Sequence, residues 1–263
     1  VHAGHYLETN PRCKQYYMRK LVYIKKASLL LAISDSSRQE AIEHLGFSEE
    51  KVINVSTAVD EHFRPLAITR EEEEELRKKF GILKPFVLYV PGGFDVRKNV
   101  NGLISSYARL STTLRQNYQL VIAGKLPEGE KLKYLGFANQ QRLGHEELIF
   151  TGYVSDKDLV KLYNLCEVFV FPSIHEGFGL PVLEAMACGA AVIGSNTTSI
   201  PEVIGRPDAL FDPHSDQEIA EKLEQVLTDE DFRNELKRHG IEQAKKFSWD
   251  KSAKLAIASL RRS

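Results

Sequence analysis

The sequence predicts an α/β protein built on a doubly wound, Rossmann-like parallel sheet. From residue 85 onward, short runs of β-branched and aromatic residues alternate with amphipathic stretches. These runs are apolar nearly throughout, as expected of strands that helices cover on both faces. With 263 residues, of which 43% are hydrophobic, the chain can bury a sizeable core, which excludes a largely disordered protein.

The elements follow each other at regular spacing. In the first part we predict a helix over 11–26, a strand over 29–33, a helix over 36–45 and a strand over 52–55. Thr69 and Glu72 form the capping box of a surface helix. The predicted strands of the second part are 86–90, 119–123, 148–151, 167–171, 190–194 and 209–211. The predicted helices between them are 99–115, 130–143, 156–165 and 181–188, and three more amphipathic helices follow residue 216.

Composition excludes several classes of protein. Thirty-five basic and 36 acidic residues give a formal charge of -1, so the chain has no global basic excess of the kind that nucleic-acid binders show. It has no apolar run long enough for a membrane span and no signal-peptide pattern at its start. Three dispersed cysteines argue against a disulfide framework or a structural zinc site and favour a reducing cytoplasm. His2 and His5 lack a nearby third ligand, so we predict no metal there.

Two predicted strands end in unusual loops, where open parallel sheets bind ligands. After the strand over 86–90, Gly92 and Gly93 precede the cations Arg97 and Lys98. Glycines allow a ligand to approach the backbone, and the two cations can neutralise a phosphate or diphosphate. The alternative is an ordinary turn with exposed cations.

The second loop follows the strand over 167–171. Pro181 stands where a helix begins, so the backbone N–H groups of Gly179 and Leu180 point into the crevice as an anion site. Glu176 lies in the loop and Glu184 in the first helical turn, and both carboxylates are expected to face one pocket and to accept hydrogen bonds from sugar hydroxyls. The alternative role of Glu184 is to complement the helix dipole.

The string EGFGLPVLEA, with seven residues between Glu176 and Glu184, resembles the signature of the retaining, nucleotide-sugar-dependent glycosyltransferases of family 4, which have the GT-B architecture. The first loop resembles the phosphate loop of that family, and residues 197–202 resemble the loop that follows. The resemblance implies that Arg97 and Lys98 grip the donor diphosphate, that Glu184 binds the ribose and that Glu176 contacts the sugar. It also implies the remaining donor-binding positions: Gly177, Phe178 and Gly179 at the sugar, and the turns at Gly124, Lys125, Tyr153 and Val154 beside the base.

The resemblance also implies a division of the chain. Residues 1–64 are expected to be the C-terminal remnant of an N-terminal acceptor domain, 65–247 the donor-binding domain, and 248–263 a crossover helix. A first residue other than Met fits a fragment in which the acceptor half is mostly absent.

We predict no metal and no other cofactor. Two Asp-x-Asp triplets occur, at 156–158 and 229–231, but both are typical of helix starts. The nucleotide sugar is a substrate, with GDP-mannose the first expectation, from a similarity of residues 195–213 to bacterial mannosyl- and rhamnosyltransferases of surface-polysaccharide assembly, and a UDP-sugar the second. The expected acceptor is a saccharide or a lipid-linked saccharide.

Three alternatives remain open. The chain can be a nucleotide-sugar binding module without turnover, or a sugar-nucleotide epimerase or phosphorylase of the same architecture.

The helix over 11–26 is basic and aromatic, with six Lys or Arg and no acid between Thr9 and Ser34. Such a helix can lie on the inner face of an anionic membrane, but packing inside a domain is the favoured interpretation.

Overall fold

The structure is a computed structural model that describes residues 11–261, so His2 and His5 lie outside it. Within these residues the strands form two parallel sheets. The first sheet contains β1 (Leu30–Ala32) and β2 (Val52–Asn54). The second contains β3 (Phe86–Tyr89), β4 (Gln119–Ile122), β5 (Leu148–Phe150), β6 (Val168–Phe171), β7 (Val192–Ser195) and β8 (Leu210–Phe211).

The helices lie between and after these strands. In chain order they are α1 (Pro11–Ile24), α2 (Asp35–Leu45), α3 (Arg70–Phe80), α4 (Val100–Arg109), α5 (Thr112–Asn117), α6 (Glu128–Gln140), α7 (Asp156–Leu165), α8 (Leu180–Ala187), α9 (Ile200–Ile204), α10 (Asp216–Thr228), α11 (Glu230–Ala244) and α12 (Trp249–Leu260). A short 3₁₀ helix over Val96–Lys98 precedes α4. Among the described residues, no helix combines the length and the apolar character that crossing a bilayer requires.

The order of the large sheet is β5-β4-β3-β6-β7-β8, and every neighbouring pair is parallel. The order reverses between β3 and β6, where Val87 pairs with Val168 and Leu88 with Phe169. In a doubly wound sheet this reversal opens a crevice beyond the carboxyl ends of the two strands. The predicted fold class is therefore confirmed, and both unusual loops open on that crevice.

The core explains why the strands are apolar throughout. Every residue of β3, β4, β6 and β7 is buried, because helices cover both faces of the sheet. On one side α4 packs against α10, and on the other α8 packs against α11. The capping box at Thr69 and Glu72 is present at the start of α3, as predicted.

Several predicted helices have bounds that differ from the observed ones by one to three residues; the helix expected over 130–143, for example, is α6 (Glu128–Gln140). Two differences change the description of the chain more. The helix expected over 99–115 is two helices, because the chain turns at Leu110 and Ser111 caps α5 by accepting a hydrogen bond from the Leu114 N–H. α8 begins at Leu180, one residue earlier than predicted. Its N-cap is Gly179, whose φ of 100° lies in the left-handed region that favours glycine.

The segment that enters the large sheet is anchored by one side chain of α7. The Asn164 amide accepts a hydrogen bond from the Leu66 N–H at 2.7 Å and donates one to the Arg64 carbonyl at 3.1 Å. Phe63 packs edge-on against the buried Tyr163 ring, 6.1 Å between centroids. These contacts hold residues 63–66 against α7, beside the crevice.

Candidate active site

The two predicted loops are joined to each other at the crevice between β3 and β6. The Ile174 N–H donates a hydrogen bond to the Arg97 carbonyl at 2.8 Å. The hydroxyl of Tyr89, on β3, donates to the Lys98 carbonyl at 2.5 Å. The first bond holds the two loops together and the second holds the first loop on β3. Lys98 of the first loop then lies beside the Glu176 carboxylate of the second.

Lys98 and Glu176 form an ion pair, with 2.6 Å between Lys98 Nζ and Glu176 Oε1. Each side chain is 12% exposed, so the pair is shielded from water although it lies at the crevice. Both residues were predicted to touch the donor. The pairing shows that a phosphate or a sugar hydroxyl entering here meets a cation and a carboxylate already oriented toward each other.

Arg97 has a partner that sequence reasoning missed. Asp95 accepts hydrogen bonds from Arg97 Nε at 2.8 Å and from one terminal guanidinium nitrogen at 3.0 Å. Partial burial raises the pKa of Asp95, but the hydrogen bonds and charge of Arg97 outweigh it, so the pKa lies below its ordinary value. Asp95 also caps the short 3₁₀ helix, and that capping position was the available signal.

The loop at the start of α8 presents backbone rather than side chains. A Cβ added at Gly179 would lie 2.6 Å from a methyl of Ile200, so glycine lets the loop approach α9 closely. Gly177 lies beside α2, Phe178 is buried and Leu180 is 40% exposed at the mouth of the helix. The first N–H groups of α8 and its dipole suit this end of the helix to an anion.

Glu184 lies deeper than predicted. It is the fifth residue of α8, beyond the first turn, so the dipole interpretation does not apply. Its carboxylate accepts a hydrogen bond from the Tyr163 hydroxyl at 2.9 Å, and burial holds the pKa of Glu184 above its ordinary value. Glu176 contacts Lys98 whereas Glu184 contacts α7, so each glutamate is held by a different element. Tyr163 carried no sequence signal, because helical tyrosines are common in cores.

The remaining predicted residues line a pocket of about 290 Å³ beside β3 and β4. The turns after β4 and β5 meet there through a bridge between Gly124 and Gly152. The predicted residues among its walls are Gly92, Gly93, Gly124, Lys125, Tyr153 and Val154. Phe94, which was not predicted, adds an aromatic wall and lies against Gly124, where a Cβ would be 3.4 Å from its ring.

Both Asp-x-Asp triplets are helix starts, as predicted. Asp158 accepts hydrogen bonds from Lys79 at 2.7 Å and from the Ser155 hydroxyl at 2.7 Å. Asp229 caps α11 through the Phe232 N–H. Over residues 11–261, no group of three or more His, Cys, Asp or Glu side chains is placed to hold a metal ion.

Comparison with known proteins agrees with this fold. The chain is 44% identical over 253 residues to the serotype-specific mannosyltransferase WbdA of Escherichia coli, covering 96% of this chain and 31% of that protein. It is 34% identical to the O-antigen chain mannosyltransferase B of Escherichia coli, covering 92% of this chain and 63% of that protein. The chain therefore spans about a third of the length of WbdA and somewhat under two thirds of the length of mannosyltransferase B.

The solved structure of a glycosyltransferase from Rickettsia africae superposes with a TM-score of 0.78 at 19% identity, covering 92% of this chain and 67% of that one. At this identity the likeness concerns the fold, and it confirms the predicted GT-B type of α/β architecture. Residues 72–246 match the family glycosyl transferases group 1. That match covers the large sheet with both crevice loops, and the chain belongs to the glycosyl transferases group 1 family.

Proposed function

We propose that this chain carries the donor site of a retaining glycosyltransferase that moves a hexose from a nucleotide-diphospho-sugar to a saccharide or lipid-linked acceptor. The observation that carries the proposal is the crevice between β3 and β6, where Lys98 and Glu176 face each other at 2.6 Å beside the N-terminus of α8. Cations and a helix N-terminus bind a diphosphate, and a carboxylate binds sugar hydroxyls.

Glycosyl transfer separates charge: the bond between the sugar and the diphosphate breaks, the diphosphate gains negative charge and the ring becomes positive. Arg97, Lys98 and the N-terminus of α8 stabilise the leaving diphosphate electrostatically. Glu176 accepts hydrogen bonds from the sugar, and Glu184 accepts them from the ribose. We propose that this transfer needs no metal ion, since the cations present supply the compensating charge.

We propose GDP-mannose as the donor, because the relatives WbdA and mannosyltransferase B are both named mannosyltransferases. Titration calorimetry with GDP, UDP and ADP tests the base. GDP is expected to bind more tightly than UDP, and binding of none of the three contradicts the donor-site assignment. Arg97→Ala with Lys98→Ala should lower the affinity for GDP. The matched control, Lys131→Ala with Lys133→Ala on α6, should leave that affinity unchanged.

A binding unit without turnover is the second candidate, favoured by one observation: the chain spans 31% of WbdA. A transfer and donor-hydrolysis assay distinguishes the two. Turnover that Glu176→Gln abolishes, with GDP affinity retained, supports a transferase. Donor binding without transfer or hydrolysis supports the binding unit, and conversion of the bound sugar nucleotide to an epimer supports an epimerase.

Contact with the inner face of a membrane through α1 remains an alternative to packing of α1 within an acceptor domain. The side chains of Tyr16 and Tyr23 are 63% and 73% exposed, among basic neighbours. Flotation with vesicles containing an anionic lipid tests it. Lys25→Glu with Lys26→Glu should release the chain, and Lys131→Glu with Lys133→Glu, an equal charge change on α6, should not; equal binding of all three contradicts the membrane contact.

A further inference from the structure

Three consecutive carbonyls of the loop before α8 are held by serine hydroxyls. The hydroxyl of Ser199, a fully buried residue at the start of α9, shares its single proton between the Glu176 carbonyl at 3.1 Å and the Phe178 carbonyl at 2.9 Å. The carbonyl between them, that of Gly177, accepts from Ser34 at 2.6 Å and from Ser37 at 2.9 Å. Ser34 and Ser37 lie at the start of α2, in the segment that contains β1 and β2.

These bonds decide where the loop N–H groups point. A trans peptide is planar, so its N–H is directed opposite to its carbonyl. The N–H groups of Gly177 and Gly179 are therefore directed away from Ser199, and that of Phe178 away from α2. In the described part of the chain none of these three N–H groups has an acceptor. They are free to donate to a ligand in the crevice.

The start of α2 is fixed on the loop at further points. The Glu202 carboxylate, on α9, accepts hydrogen bonds from the Asp35 N–H at 3.0 Å and the Ser36 N–H at 3.4 Å. Ser34 is 1% exposed and also caps α2. The first N–H groups of α2, which have no partner within the helix, are therefore hydrogen-bonded to side chains. The two serine hydroxyls lie on a helix end that is held rigidly.

Gly177 is the residue that most needs this support. With no Cβ, its backbone can rotate more freely than that of any other residue, and rotation would turn the following peptide over and redirect the Phe178 N–H. Two hydroxyl donors on one carbonyl oppose that rotation, each contributing about 1 kcal/mol. The hydroxyls thus select one orientation of the peptide before any ligand arrives.

We propose that Ser34 and Ser37 are positioning residues for the donor: by holding the Gly177 carbonyl, they orient the N–H groups that bind the diphosphate and sugar. This deepens the proposed function and rests on it. It also means that the segment around β1 and β2 contributes to donor binding without touching the donor.

The test compares Ser34→Gly/Ser37→Ala with wild type. Glycine is tolerated at an N-cap, so α2 keeps its start while both hydroxyls are lost. We expect the affinity for GDP-mannose to fall about tenfold, equivalent to about 1.4 kcal/mol, and the affinity for GMP, which lacks the diphosphate and sugar, to stay within about twofold. Ser34→Gly/Ser37→Thr should recover part of the loss, and Ser36→Ala should change neither affinity.

A readout without ligand separates this inference from the proposed function. Amide hydrogen exchange of Ile174 and Glu176 in the free protein, whose N–H groups donate to the Arg97 carbonyl and to the Thr198 hydroxyl, should accelerate in Ser34→Gly/Ser37→Ala and not in Ser36→Ala. Unchanged exchange overturns the inference, and so does an equal loss of GMP and GDP-mannose affinity, which would indicate damage to the fold. If wild type binds neither ligand but exchange accelerates as expected, the positioning of the loop stands and the proposed donor is wrong.

Discussion

Replacing Lys98 by Met tests the central ion pair of the crevice. Methionine keeps most of the side-chain volume and removes the charge, so Glu176 Oε1 loses the partner that stands 2.6 Å away. Exposed ion pairs contribute about 0–1 kcal/mol, whereas removing one partner of a buried pair costs about 3–5 kcal/mol. With both side chains 12% exposed, the pair lies near the buried case. We expect Lys98→Met to lose about 3 kcal/mol of unfolding free energy.

For a chain of this size that loss lowers the Tm by roughly 6–12 °C. The decisive variant is Lys98→Met/Glu176→Gln, which leaves no unpaired charge and should regain most of the lost stability. Affinity for GDP follows a different pattern. It should fall about 10- to 100-fold with Lys98→Met in either background, because the cation that we propose binds the diphosphate is absent.

Urea unfolding and calorimetry with GDP on the wild type, both single variants and the double variant complete the cycle. If Glu176→Gln restores no stability to Lys98→Met, the pair does not hold the loops together and the reasoning is refuted. If Lys98→Met unfolds earlier but binds GDP as wild type does, the lysine is structural and the diphosphate site lies elsewhere.

Three further predictions concern single positions. Burial holds the pKa of Glu184 above its ordinary value, so keeping this carboxylate charged in the folded state lowers the stability. Glu184→Gln should therefore raise the Tm at pH 7.5, with a gain that shrinks toward pH 4.5. The same variant should lower the affinity for GDP. An equal Tm change at both pH values would contradict this. Gly179→Ala should cost about 2 kcal/mol in urea unfolding, because φ is positive and the added Cβ meets a methyl of α9, whereas Gly136→Ala in α6 should cost nothing. Burial raises the pKa of Cys188 to about 12 and that of Cys166 as well, so peptide mass spectrometry should find neither labelled by a thiol reagent until the chain unfolds.

The sequence predicted the large sheet well because its signals are local. A strand buried on both faces is an uninterrupted apolar run, and each such run from 86 onward became a strand of the sheet. Alternation of strands and helices implies parallel pairing, and parallel strands bring their carboxyl ends to one edge. That is why Lys98 and Glu176, which are 78 positions apart, were both assigned to one crevice.

Helix boundaries were less well predicted, since several residues compete for the same capping role. Ser111 divides the helix expected over 99–115, although the residues on both sides have helical periodicity. Gly179, and not a residue with a side-chain acceptor, precedes α8. In each case a local backbone conformation decided the boundary, and periodicity does not report it.

Sequence alone determined the fold class, the edge of the sheet where the candidate site lies and the types of charge found there. Only the tertiary structure decided the partners: Asp95 on Arg97, Tyr163 on Glu184, and two serines on the Gly177 carbonyl. Ser34 and Gly177 are separated by 143 positions, and nothing in the local sequence of either records the other. The physical reason is that hydrogen bonds between elements depend on angstrom-scale packing of whole helices and loops, whereas periodicity depends only on which face of an element is buried.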